Sequence, residues 1–182
     1  EDLTKSLRND RWHLWSWSPV KGWEVVAHYH SSHGGRGPDG TIHDFRFLPD
    51  GRLVVVGSFM RVDNPYGNRY RGVNAVAIYD PKEPTANRWR PLGSVQYNGT
   101  VSDGGTVYCM AYDGRNNDLY FGGTFAGIRD GNSPKIHKYD LDTGDWVPLP
   151  PGIWGQKPIV HKIHVDSSTA PPTVYVGGKF QW

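Results

Sequence analysis

The sequence predicts an all-β protein built from repeated four-stranded antiparallel units. Three segments alternate apolar and polar residues, which is the period-two pattern of a strand with two different faces. Glycine and proline contribute 23 and 14 of the 182 residues, about a fifth of the chain against a usual ~12%, and they stand between apolar runs as turns. Aromatic residues make up 13%, and flat rings pack well on pleated surfaces. No segment shows a convincing 3.6-residue period, so we expect little helix.

Charge and cysteine content exclude several classes of protein. The 20 basic and 18 acidic residues give a net charge of +2, so no strong field favours nucleic acid or an anionic membrane. No run of about 18 apolar residues predicts a membrane-spanning helix. The first residues do not resemble a signal peptide, so a secreted form would have lost its signal before them. The single cysteine, Cys109, rules out an intrachain disulfide and a cysteine-based zinc cluster.

The first element is a half-unit over residues 10–30, which we interpret as one hairpin. Trp17 and Trp23 hold in it the positions that Tyr and Trp hold in two later copies. The repetition predicts that these two tryptophans are packing residues between units.

The first complete unit covers residues 41–95. An alternating strand from Ile42 leads through the Asp50-Gly51 turn into a second, apolar strand that ends on Gly57-Ser-Phe59. Asp-Gly suits a tight hairpin because glycine accepts a positive φ without steric cost. A second hairpin runs from Asn74 to Trp89, and the neighbouring Pro91 predicts that its last strand is an outer edge.

The second complete unit covers residues 105–150 and repeats this plan. Its first hairpin turns at Asp113-Gly114 and ends on Gly122-Gly-Thr-Phe125. Its second hairpin turns at Asp140-Leu-Asp-Thr-Gly-Asp145 and closes on Trp146. We interpret residues 140–145 as a turn and not a calcium loop, because they lack the length and the distal glutamate of an EF-hand.

The last element is a half-unit over residues 158–182, in which the strand from Val160 is followed by Val174-Tyr-Val-Gly-Gly-Lys-Phe180. The glycines after each second strand are expected to allow close backbone approach or a bulge. Residues 60–73, 94–105 and 126–134 are predicted to be variable loops, and 34–40 a flexible glycine-rich loop.

These units resemble kelch-type β-propeller blades, in which Gly-Gly ends one strand and Tyr-Asp…Trp follows in the next hairpin. The Gly-x-Phe ending resembles the propeller repeats of large cell-surface proteins, such as the cortical-marker proteins of fungi. The resemblance implies one propeller segment over residues 1–182, with two complete blades and two terminal half-blades. It also implies an extracellular or cell-surface location.

Three blade-equivalents cannot close a ring, since propellers use four to eight. The chain is therefore expected to be a segment of a longer polypeptide, or to pair its terminal half-blades with a neighbouring copy in a ring or filament. A β arrangement other than a propeller is the third interpretation. The leading function is non-catalytic assembly or adhesion in a surface fibre or coat, with other protein chains or the rest of the polypeptide as partners. The alternatives are a carbohydrate- or ligand-binding propeller and a kelch-like copper-radical oxidase.

Four tryptophans outside the repeating positions are the candidate binding residues, because exposed indoles stack on sugars and anchor interfaces. They are Trp12, Trp15, Trp154 and Trp182. Structural packing is the competing interpretation for each of them.

His28, His30 and His33 form the densest ligand-like cluster, but we favour a polar loop over a metal site and expect no cofactor. The Asn98-Gly-Thr100 sequon is a candidate glycosylation site, so a glycan is a further candidate partner. An oxidase would need a cysteine–tyrosine cross-link, yet Cys109 lies in an alternating strand and reads as a small buried hydrophobe. Motifs for a serine nucleophile, a phosphate-binding loop or a dinucleotide are absent from the sequence.

Overall fold

The computed structural model describes residues 11–29, 36–64, 69–71, 73, 75–92, 105–124, 136–149 and 154–181, and its architecture is all-β. Apart from one 3₁₀ turn at Thr85–Asn87, the elements in these residues are strands. No helix in this part of the chain has the length and apolar character needed to cross a membrane.

Within the described ranges, fifteen strands form five small antiparallel sheets. The N-terminal hairpin is β1 (Arg11–Ser18) and β2 (Gly22–Tyr29), and the C-terminal hairpin is β14 (Trp154–Asp166) and β15 (Thr173–Gln181). The first four-stranded sheet contains β4 (Thr41–Phe47), β5 (Leu53–Ser58), β8 (Val76–Tyr79) and β9 (Trp89–Pro91). The second contains β10 (Val107–Asp113), β11 (Asp118–Gly123), β12 (Ile136–Asp140) and β13 (Asp145–Pro148). A small sheet contains β3 (Gly37–Pro38), β6 (Arg61–Asp63) and β7 (Arg69–Arg71).

Both four-stranded sheets are simple meanders, with strand orders β4-β5-β8-β9 and β10-β11-β12-β13. The proline-containing strands β9 and β13 are the last strand of each sheet, as the sequence predicts. The repeat also extends to the register. Three aromatic pairs face each other at the same place in the second hairpin of each unit: Trp17 with Trp23, Tyr79 with Trp89, and Tyr139 with Trp146.

Five aspartates begin turns in the same way. The Oδ1 atom of each accepts a hydrogen bond from the backbone N–H two residues later, at 2.8 to 3.0 Å. These residues are Asp50, Asp80, Asp113, Asp140 and Asp166. An aspartate is suited to this position because its carboxylate replaces a backbone acceptor. The interpretation of residues 140–145 as a turn is confirmed by this geometry and by the positive φ of Gly144.

The two Asp-Gly turns differ from each other. Gly51 adopts the expected positive φ of 91°. In the second sheet, Gly114 is not the residue with positive φ; Asn117 is, with a φ of 55°. The expectation for Gly114 was therefore wrong, because the longer turn places its left-handed residue at the end, where asparagine tolerates that conformation.

Three apolar clusters lie between consecutive sheets, so the sheets form a stack. The order is the N-terminal hairpin, the first four-stranded sheet, the second four-stranded sheet and the C-terminal hairpin. The cluster between the N-terminal hairpin and the first four-stranded sheet includes Ala27, Val55 and Trp89. The cluster between the two four-stranded sheets includes Val54, Val56, Leu119 and Phe121. The cluster between the second four-stranded sheet and the C-terminal hairpin includes Cys109, Ala111, Val160 and Ile163. The inner strands β5 and β11 therefore have both faces buried, which explains their continuous apolar runs.

The repeated glycines permit close backbone approach, as expected from the sequence. A Cβ atom on Gly57, Gly123 or Gly178 would lie 1.9 to 2.0 Å from a carbonyl oxygen of the preceding strand. No side chain fits within that distance. The glycine of each Gly-x-Phe ending is therefore a packing requirement of the first hairpin in its unit.

Three expectations need correction. The segments 34–40 and 60–73 are not plain loops, because residues from both form the small sheet, in which Gly37 and Pro38 are buried. Gly37 has a φ of 96°, and a Cβ atom there would lie 2.8 Å from that of Ala27. Trp17 and Trp23 are not buried between sheets but exposed. Residues 94–104 and 126–134 lie outside the described part of the chain.

Candidate functional site

The predicted binding residues fall unevenly on the structure. Trp15 lies in β1 with 46% of its surface exposed. Trp12 lies in β1 and Trp154 in β14, but the structure does not describe their side chains. Trp182 lies outside the described residues. His28 belongs to β2 without a described side chain, and His30, His33 and Asn98 fall outside the described residues. Where side chains are described, no three His, Cys, Asp or Glu residues are arranged to hold a metal.

Two strand edges that have a paired neighbour in the complete units have none in the terminal hairpins, within the described residues. β1 pairs only with β2, and β15 pairs only with β14. The corresponding edges of the complete units are paired, because β5 binds β8 and β11 binds β12. An open edge presents a row of backbone donors and acceptors that favours addition of another strand.

The outward face of the N-terminal hairpin is a patch of exposed indoles. Trp17 and Trp23 are opposite one another and are 59% and 69% exposed, whereas the equivalent Trp89 is fully buried. In the complete units, the equivalent pairs have ring centroids 5.0 Å apart and pack against the preceding sheet. The N-terminal hairpin therefore exposes the side chains that the equivalent hairpins of the complete units bury against the preceding sheet.

Strand β4 presents a second apolar patch. Phe45 and Phe47 are exposed, at 51% and 65%. The equivalent residues of β10 are Met110, which is buried, and Tyr112, which packs on the cluster between the two four-stranded sheets. The N-terminal hairpin packs on Leu53, Val55, Ala77 and Trp89 of the first sheet but leaves these two phenylalanines uncovered.

The outward face of the C-terminal hairpin carries an open slot. A Cβ atom on Gly122 would lie 2.3 Å from Val160 Cγ1 and 2.9 Å from Ile163 Cδ1, because the next sheet occupies that space. At the equivalent Gly177, the nearest atoms are 4.0 Å away and belong to Lys162. This glycine therefore leaves room that no described residue uses.

The tyrosines two residues before Gly122 and Gly177 also differ in exposure. Tyr120 is 5% exposed beneath the C-terminal hairpin, and burial raises its pKa. Tyr175 holds the equivalent place and is 57% exposed, with its ring centroid 6.3 Å from that of His164. Lys162 is also on this face, directly opposite Gly177.

A row of rings follows the first strands of three sheets. His43, Tyr108 and His161 are each the extra residue of a β-bulge. The bulges turn these side chains toward one another. The ring centroid of Tyr108 lies 5.1 Å from that of His43 and 5.8 Å from that of His161. Ser58 Oγ is 3.1 Å from His43 Nε2 and 2.9 Å from Thr106 Oγ1, which continues the polar row.

Cys109 is buried, as the alternating pattern predicts. Burial, assisted by the nearby charge of Asp44, raises the pKa of its thiol to about 11. The thiol therefore remains protonated and unreactive at neutral pH.

Sequence reasoning missed most of these surfaces. Trp17 and Trp23 occupy repeating positions and were assigned to packing. Phe45, Phe47 and Gly177 also occupy repeating positions, but the sequence analysis did not single them out. The useful signal was their place in an incomplete sheet, where the partner for that packing is missing among the described residues.

Comparison with known proteins adds no assignment. No protein-family model matches the chain, and no curated protein is similar enough to count as a relative.

Proposed function

We propose that this protein is a non-catalytic, propeller-type structural module that assembles with a second copy of itself. The single observation that carries this proposal is the pair of complementary open edges on β1 and β15. If β15 of one copy binds β1 of the other, the strand order β14-β15-β1-β2 reproduces the meander of both complete sheets.

The repeat predicts the register of this composite sheet. Leu119 pairs with Tyr139 in the second sheet, and Leu53 pairs with Tyr79 in the first. The equivalent pair across the joint is Val174 with Trp17. Backbone hydrogen bonds supply the affinity in such strand addition, and the side chains fix the register.

The same joint covers the exposed apolar groups. Gly122 accommodates Val160 and Ile163, whose equivalents in the first sheet are Ile42 and Phe45. In the composite, the slot at Gly177 accepts Ile42 and Phe45 of the other copy. Burying a phenylalanine side chain contributes about 1.5–3 kcal/mol, so this contact adds affinity beyond the backbone bonds.

Two copies supply enough sheets for a closed ring. Each copy contributes two complete four-stranded sheets, and each of two joints adds one, so 2 × 2 + 2 gives six. Propellers close with about four to eight blades. We therefore propose that two copies of this chain form a cyclic dimer.

An extracellular or cell-surface location and a role in a surface fibre or coat are supported by the repeat resemblance alone. A carbohydrate-binding propeller is the alternative drawn from the same resemblance. The dimer is independent of both and can be tested on the purified chain.

The first test measures mass as a function of concentration. We expect the wild-type chain to sediment as the dimer, and Gly177→Val to sediment as a folded monomer, because the added side chain occupies the slot for Phe45. Val20→Asp is the matched control, since Val20 is 91% exposed in the turn between β1 and β2 and away from the joint. A monomeric wild-type chain, or a Gly177→Val variant that still dimerises, would overturn the proposal.

A second test measures the register by cross-linking. Trp17→Cys and Val174→Cys chains are mixed under oxidising conditions, and we expect a disulfide between copies, because facing Cα atoms lie about 4.5–5.5 Å apart. Cys109 does not compete, since its pKa is about 11 and its thiol is buried.

The control for this test pairs Trp23→Cys with Val174→Cys. Trp23 is on the same face as Trp17 but one strand further from the joint, at roughly 10 Å, beyond the ~7 Å limit for a disulfide. Cross-linking that is equally strong in this pair would contradict the proposed register.

A further inference from the structure

A polar groove separates the N-terminal hairpin from the outer strands of the first four-stranded sheet. Its volume is about 290 Å³. Ser16 and Glu24 line it from the hairpin, and Tyr79, Arg88 and Trp89 line it from the sheet. A space of this size is sufficient for a small molecule or for one charged group of a larger one.

The groove lies where the N-terminal hairpin has a smaller side chain than the next unit. Ser16 pairs with Glu24 just as Ile78 pairs with Arg90 in the next unit. Ile78 is buried and fills the interface between the two four-stranded sheets. The short serine side chain leaves the corresponding volume open in the first interface.

The lining carries an excess of positive charge. Lys21, Arg36 and Arg88 contribute three cations, and Glu24 contributes one anion, which lies 3.7 Å from Lys21 Nζ. The remaining cations, Arg36 and Arg88, form no ion pair within the described residues. Two positive charges of the groove are therefore left without a counter-charge.

Arg88 is held in place for binding. Its Nε donates a hydrogen bond to the carbonyl oxygen of Glu83 at 3.0 Å, which leaves the terminal nitrogens of the guanidinium as donors. The adjacent Arg90 differs, because its guanidinium contacts the carboxylates of Asp80 and Glu83 at 3.6 Å. A fixed guanidinium suits a planar or tetrahedral oxyanion, which accepts two parallel hydrogen bonds.

Trp89 lies beneath the groove. Its indole is fully buried, and its Nε1 has no hydrogen-bond partner within the described residues. The indole N–H is therefore a reporter for an anion bound beside Arg88, because it is close to the groove but is not exposed to it.

From these observations we infer that the groove is a binding site for an oxyanion, such as the sulfate, phosphate or carboxylate group of a small molecule. Arg88 and Arg36 supply the charge, and Ser16 and Thr85 supply hydroxyl groups. The site does not depend on dimer formation, because every one of these residues belongs to a single copy.

The test titrates the ¹⁵N-labelled protein with inorganic sulfate, inorganic phosphate and glucuronate in separate NMR experiments. We expect saturable shifts of the Trp89 indole N–H and of the amides of Ser16 and Arg88 with at least one of these probes, and the strongest binder identifies the class of oxyanion. Arg88→Gln should weaken binding by about tenfold or more, since charge-assisted hydrogen bonds contribute ~1.5–3 kcal/mol.

Two variants make the result decisive. Arg46→Gln removes one cation from exposed β4, outside the groove, and should leave the affinity unchanged. Ser16→Ile introduces the residue that the next unit uses at this position, and should abolish the shifts while retaining the fold. Equal weakening by Arg46→Gln, unchanged binding by Ser16→Ile, or no shift with all three probes would overturn the inference.

Discussion

Single glycines determine how closely two strands and two sheets approach each other. At Gly123, a Cβ atom would lie 1.9 Å from the Thr106 carbonyl oxygen, and the paired strand bulges at Tyr108. At Gly122, the missing side chain makes room for the next sheet. The two glycines of the motif therefore have separate roles, one within a sheet and one between sheets.

A matched pair of variants separates these effects at the residue scale. Gly122→Ala should destabilise the chain by about 1–3 kcal/mol, because the new methyl group overpacks against Val160 and Ile163. Gly177→Ala should change the free energy of unfolding by less than about 0.5 kcal/mol, since nothing lies within 4 Å of its Cβ except Lys162 at that distance. Urea denaturation measures both, in a Phe45→Ala background that removes the proposed dimer contact.

An equal loss of stability in the two variants would contradict the role assigned to Gly122. It would mean that the cost arises within the strand and not from the neighbouring sheet.

At the scale of the element, the aspartate turns differ in whether their hydrogen bonds stabilise one hairpin or join two sheets. Most cap only their own hairpin, and the carboxylate of Asp140 is an example, with its pKa lowered by the N–H groups of Thr143 and Asp142. Asp113 also accepts a hydrogen bond from Ser167 Oγ at 2.6 Å, and Arg115 Nη1 donates to the Thr169 carbonyl oxygen at 2.8 Å. This turn therefore joins the second sheet to the C-terminal hairpin.

Asp113→Ala should cost about 1–3 kcal/mol of unfolding free energy, because it removes the acceptor of three part-buried hydrogen bonds. Asp50→Ala, in a more exposed turn, should cost less, since water replaces the lost hydrogen bonds. Thermal denaturation compares the two variants. A larger loss for Asp50→Ala would contradict the joining role of Asp113.

The same turns predict the acid response. The pKa values of Asp50, Asp113, Asp140 and Asp166 lie below the ordinary value of 3.8. For Asp113, burial opposes the shift, but hydrogen bonds from Ser167, Arg115 and Asn116 outweigh it. Their contribution to stability is complete above pH 3.8 and is lost as the pH falls through the lowered values.

We therefore expect the urea midpoint to fall steeply below about pH 4, and Asp113→Asn to reduce that pH dependence because it removes one of the titrating groups. Circular dichroism between pH 2 and 6 measures both chains. An identical pH dependence in wild type and variant would contradict a lowered pKa at Asp113.

For the whole molecule, the all-β class was predictable because its signals are local. Alternation, Asp-led turns and the Tyr…Trp spacing act over a few residues, and they define the two meanders and their register. The small sheet was not predictable, because Gly37–Pro38 and Arg61–Asp63 are far apart in sequence and too short to show a period. Neither was the groove, since it depends on the volume difference between Ser16 and Ile78 in two interfaces.

The exposure of Trp17 and Trp23 was the main error of sequence reasoning. A repeated aromatic position predicts that a partner surface exists, but not which part of which molecule provides it. The contrast between Tyr120 and Tyr175 has the same cause, because two similar local sequences face a neighbouring hairpin in one case and solvent in the other.

The bulged residues have a consequence for the dimer. Within one copy, His43, Tyr108 and His161 form an open row with two ends. In a closed pair of copies, His161 of each copy would approach His43 of the other. The six side chains, four imidazoles and two phenols, would then form a closed ring around the axis of symmetry.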